Sequence, residues 1–106
     1  MFAEITDYRM AVYSRNPPSH HLAAIALKSG VDGFVGIIYF WDRNRGTLPD
    51  AVITETNTSM HFFIDMLDSV VDLLRNESPV YLSAGDGTAL LRTWDESVGE
   101  GEIPPP

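Results

Sequence analysis

The sequence predicts an α+β fold. It reads as a six-stranded, mostly antiparallel sheet in the order β-β-β-β-α-β-β with one amphipathic helix. Three observations predict it. Between residues 3 and 56, apolar residues alternate or run in short β-rich stretches that end on Gly, Pro, Asn or Asp. From Met60 to Leu74 the apolar residues recur at steps of three and one, the period of a helix. Two further apolar runs flank Ala84-Gly85-Asp86-Gly87, a hairpin-loop sequence.

Each element follows from its residues. Ala3 to Ser14 forms a first strand, with Tyr8, Met10 and Val12 on one side and Asp7, Arg9 and Ala11 on the other. Pro17 and Pro18 cannot join a ladder and end it. A second strand covers His20 to Ser29, and the turn Ser29-Gly30-Val31-Asp32-Gly33 leads to a third at Phe34 to Trp41. A polar loop, Asp42 to Gly46, precedes a fourth strand over Asp50 to Thr56, which is rich in β-branched residues. The helix presents Phe63, Ile64, Leu67, Val70, Val71 and Leu74 to the core. His61, Asp65, Asp68, Asp72 and Arg75 form its wet face, and Asn57, Thr58 and Ser59 offer capping oxygens. Pro79 stops it. Val80 to Ser83 and Thr88 to Asp95 form the closing hairpin.

Composition narrows the function. The chain has 106 residues, a net charge of −8 and no cysteine. That is one domain, expected over residues 1–96, with an acidic, proline-rich flexible tail over 97–106. Without cysteine there are no disulfides, zinc–thiolate sites, iron–sulfur clusters or thiol catalysis. No apolar run reaches the roughly 18 residues of a membrane span, and the first residues lack the pattern of a secretory signal. A cytoplasmic protein that does not engage membranes is expected.

The faces of the sheet carry the main inference. On the third strand, Phe34, Ile38 and Phe40 point one way and Val35, Ile37, Tyr39 and Trp41 the other, so both faces are apolar. An antiparallel sheet with one wet face alternates instead. Six strands span roughly 25–30 Å, whereas a helix covers about 10–12 Å. Something else must cover the second face. The sheet can curl toward a half-barrel, hold a ligand or stack on a second copy. A homo-oligomer, in the first instance a dimer, through Val35, Ile37, Tyr39 and Trp41 is expected.

The chemical motifs are weak. His20 and His21 point to opposite faces of a strand and cannot share a metal there. His61 and Asp65 stand four apart on the expected helix, where they could touch a cation, but nothing in the sequence completes a ligand set. Gly85-Asp86-Gly87-Thr88 lacks the lysine of a phosphate loop and the acids of a calcium loop. No G-x-S-x-G occurs. No catalytic constellation and no cofactor are therefore expected, and an interaction module fits better than an enzyme. One alternative is a small-molecule pocket between helix and sheet, lined by Met60, Phe62 and Met66. Another is a single-stranded nucleic-acid platform of Tyr39, Trp41, Tyr81 and Trp94, with Arg43 and Arg45 as anion contacts. With seven basic residues against fifteen acids, nucleic acid is disfavoured.

Overall fold

The computed structural model describes residues 1–14, 21–30 and 32–93. The fold is α+β, but its strands form two sheets rather than one of six. Among the described residues there are eight strands: β1 (Phe2–Ile5), β2 (Asp7–Val12), β3 (Ala23–Ser29), β4 (Gly33–Trp41), β5 (Val52–Ile53), β6 (Thr58–Phe63), β7 (Val80–Gly85) and β8 (Thr88–Thr93). The helix α1 spans Leu67–Asn76. One sheet has the order β2-β3-β4-β6-β5 and the other β1-β7-β8. All neighbours are antiparallel except β4 and β6, which run parallel. The expected tail, 97–106, lies outside the described residues.

The expected first strand is two strands. The chain changes sheet at Thr6: β1 pairs with β7 and β2 with β3. At the corner the Thr6 amide donates to the Lys28 carbonyl at 2.9 Å, and the Thr6 hydroxyl donates to the Asp7 carboxylate. Such corners let one chain serve two packed layers. The expected fourth strand shrinks to Val52–Ile53 at the sheet edge.

The helix begins later than its period suggested. Thr58 to Phe63 is strand, Ile64–Met66 is one tight 3-10 turn, and the α-helix starts at Leu67. A step of three from Met60 to Phe63 fits a helix, but Thr58, Met60 and Phe62 also alternate with Ser59, His61 and Phe63. Pairing with β4 decides between them, because it satisfies the backbone along the whole of Gly36–Trp41. Asn57, Thr58 and Ser59 therefore cap no helix, and α1 starts without a side-chain cap. Asp68 in its first turn and Arg75 in its last suit the helix dipole. The backbone N–H of Glu77 donates to Leu73 and closes the C-terminus. No helix among the described residues is long and apolar enough to cross a membrane.

The core lies between the two sheets and α1. Ala23, Ile25 and Leu27 of β3, Ile38 and Phe40 of β4, and Met60 of β6 meet Ala3 and Ile5 of β1, Leu82 of β7 and Val70 of α1. Gly36 sits at a close approach between the sheets. It stands opposite Leu27 and Thr58, and a Cβ there would lie 2.8 Å from the Thr58 carbonyl oxygen and 3.1 Å from Leu82 Cδ2. The missing side chain lets β7 settle on the large sheet. Gly36→Ala should therefore destabilise the fold by about 1–3 kcal/mol. Urea unfolding followed by circular dichroism measures this; an unchanged midpoint would contradict the packing.

Candidate functional site

The outer face of the five-stranded sheet is the candidate site. Register fixes its membership. Ile37, Tyr39 and Trp41 of β4 lie beside Ser59, His61 and Phe63 of β6 on one side, and Ala26 and Ala24 of β3 stand opposite Ile37 and Tyr39. These positions alternate with the core residues Ile38 and Phe40. The helix and the second sheet pack on the opposite face.

Val35 does not belong to this face. Leu27 pairs with Gly36 and Lys28 with Phe34, so Val35 is the extra residue of a β-bulge. The bulge breaks the period-2 alternation and turns Val35 into the core, where it is 2% exposed. Ile37, Tyr39 and Trp41 keep the expected side and are half-buried.

Rings crowd the Trp41 end of the face. His21 packs edge-on against Tyr13, Tyr39 and Trp41, with centroids 5.1, 4.6 and 5.7 Å away. His61 stacks on Tyr39 at 5.4 Å. Trp41 Nε1 donates to His61 Nδ1 at 2.9 Å. Indole N–H can only donate, so this bond places the neutral imidazole proton on Nε2.

Two arginines close the same end. Beyond Trp41 the chain makes a 3-10 turn, Arg43–Arg45, in which the Asp42 side chain accepts from the Asn44 amide. The turn folds both guanidinium groups back onto rings. Arg45 lies 4.2 Å from the Trp41 centroid and Arg43 4.7 Å from that of Phe63. Trp41 and Phe63 are themselves cross-strand partners. Exposed cation–π contacts contribute about 0.5–1 kcal/mol each. Arg43 also pairs with Asp65 and holds that carboxyl below its usual range. With Arg9 on β2 and Lys28 on β3, four of the chain's seven basic residues lie on this face or its rim.

The other expected site residues disperse. Met60 is core, Phe62 stacks on core Phe40, and Met66 is exposed in the turn before α1. They do not converge on one cavity. His61 lies on β6 and engages Trp41 while Asp65 engages Arg43, so the helical His61–Asp65 pair does not form. Tyr81 stacks on Phe2 in the other sheet, away from Tyr39 and Trp41. Trp94 lies outside the described residues. No group of three or more metal-ligating side chains occurs among the described residues.

The sequence reading missed the roles of His21 and His61. His61 was assigned to a helix, where it could not reach Trp41. The alternation of residues 58–63 was the available signal. Comparison with family models, with curated proteins and with solved structures finds no match.

Burial lowers the His61 pKa, and the positive charges of Arg45 and His21 lower it further. Protonation would also remove the acceptor of Trp41. Below the ordinary imidazole value of about 6.5, the unfolded chain takes up this proton before the folded one does. Stability contributed by neutral His61 is therefore present at neutral pH and falls as the solution is acidified. His61→Gln keeps an oxygen acceptor and removes the titration. Its melting temperature should decline less than that of the wild type between about pH 7.5 and 5; parallel curves would contradict the assignment.

Proposed function

We propose that this chain is a non-enzymatic, self-associating interaction module, and that the outer face of its five-stranded sheet is the contact surface. The observation that carries this reading is the half-buried array of Ile37, Tyr39, Trp41, His61 and Phe63, over which no helix or strand of the described chain is packed. Rings and stacked guanidinium groups are the side chains that most often anchor protein contacts. They are already packed on one another here, which reduces the ordering needed on binding. A second copy of the same chain is the proposed partner, since most soluble oligomers are symmetric assemblies of one chain. A cysteine-free, acidic composition suits a reducing, cytoplasmic setting.

The arrangement favours binding over catalysis. Its titratable groups are committed to one another: His61 accepts from Trp41, and Asp65 pairs with Arg43. A second reading, single-stranded nucleic acid stacking on Tyr39 and Trp41, draws on Arg43 and Arg45, which pack on Phe63 and Trp41 at the same end of the face. It requires quenching of tryptophan fluorescence by an oligonucleotide at low salt, with a strong salt dependence.

Sedimentation across a dilution series tests self-association. The wild type should be a dimer or larger at micromolar concentration. Ile37→Asp, which places a charge in the contact, should reduce the mass while the near-ultraviolet circular dichroism persists. A wild type that stays monomeric throughout would overturn the reading.

A further inference from the structure

A different surface, the β2 edge, is also left open. Met10, Val12 and Tyr13 are 45%, 64% and 48% exposed, a run of large apolar side chains at the end of one strand. That strand, β2, is an edge of the five-stranded sheet, and no strand pairs with its other side among the described residues. Native edges are usually blunted by charged side chains, above all lysine, by proline or by a bulge, and the charges of β2, Asp7 and Arg9, lie on its outer side. Asp7–Val12 contains no lysine or proline, and its register with β3 runs without a shift.

Hydrogen-bond parity shows what this edge offers. The Tyr13 amide donates to the Leu22 carbonyl at 3.0 Å, which continues the register from Val12 and Ala23. In an antiparallel pair, bonded and non-bonded positions alternate. Tyr13, Ala11 and Arg9 therefore direct their backbone groups to β3, and Tyr8, Met10 and Val12 direct theirs to the open edge. The side chains of Tyr8, Met10 and Val12 share the inner face with Leu27, Ile25 and Ala23. Met10 lines a cleft of about 280 Å³ with Leu67, Val71, Asp68, Asp72 and Arg75 of α1. The apolar inner face thus continues past the last strand and ends half-covered.

We propose that β2 is a homodimer edge: β2 of a second copy pairs with it antiparallel about a twofold axis at Met10, joining two five-stranded sheets into one. The pattern is self-complementary. A twofold pairing must match Tyr8, Met10 and Val12 to one another, since these hold the free backbone groups. Centring on Met10 sets Tyr8 opposite Val12 of the partner subunit and Arg9 opposite Ala11 of the partner subunit. It forms roughly six new backbone hydrogen bonds. Centring on Arg9 would set two guanidinium groups directly opposite each other, which is unfavourable. This contact is separate from the outer face. The two contacts use different residues and can operate together.

Cysteine cross-linking tests the register without background, because the chain has none of its own. In Met10→Cys the two thiols meet on the axis, with Cα atoms about 5.5 Å apart, within disulfide range. Mild oxidation should yield a covalent dimer. Val12→Cys should not cross-link, because the two copies of residue 12 lie about 13 Å apart along the strands. Since Val12 is more exposed than Met10, random collision would link it at least as fast. Equal linkage of both variants, or linkage of neither, overturns the proposal. Met10→Lys, at an exposed position, should lose this level of association in sedimentation with an unchanged near-ultraviolet spectrum; an unchanged mass overturns it. Adding Ile37→Asp to Met10→Cys separates the two surfaces. Cross-linking should persist even where the outer-face contact is absent, and its loss in that folded double variant would overturn the edge contact.

Discussion

The parallel pairing of β4 with β6 is the constraint on which the rest of the structure depends. It supplies the backbone partners of Thr58–Phe63 and so holds back the start of α1 to Leu67. It also sets Tyr39 beside His61 and Trp41 beside Phe63 on one face, and Ile38 beside Met60 on the other. Parallel strands need a connection that returns across the sheet end. Here residues 42–57 make it, and its first turn delivers Arg43 and Arg45 to the rings where both strands finish. One pairing thus builds the core and the candidate site together.

The second sheet resolves much of the burial problem that a single helix leaves open. By crossing at Thr6, the N-terminal chain contributes Ala3 and Ile5 to the layer that covers β3 and β4, while β7 supplies Leu82 above Gly36. The inner face is therefore closed by backbone-rich strands as well as by α1. Cover fails at the β2 end, where Met10 and Val12 extend beyond it. Among the described residues, the outer face receives only side-chain cover, from His21 and the two arginines.

Electrostatics distinguishes the two faces. The chain is strongly acidic, yet Arg43 and Arg45 pack on the rings of the outer face, and Arg9 and Lys28 share that face further along, with Asp7 opposite Lys28. Burial, and then the charge of Arg45, favours the neutral form of His61, which accepts from Trp41. The acids Asp68 and Asp72 belong to α1 on the other side. The rings and guanidinium groups of the outer face pack on one another, whereas the acids of α1 face away from them.

Local chemistry in the sequence determined the α+β class, the third strand, the C-terminal half of the helix and the closing hairpin. Those segments carry their own signals: β-branched and aromatic runs, a stripe ending before Pro79, and glycines around Asp86. It also placed Ile37, Tyr39 and Trp41 on one side of β4. Tertiary structure alone decided the split at Thr6, since a strand changing partners keeps the same alternation. It decided the strand at 58–63, where apolar spacing fits both periods and only a neighbouring strand can choose. It decided the inward turn of Val35, because a bulge belongs to a pair of strands and leaves no mark on one. The meeting of His21 and His61 at Trp41 has the same origin: contacts between residues distant in sequence follow from register, and register is a property of the assembled sheet.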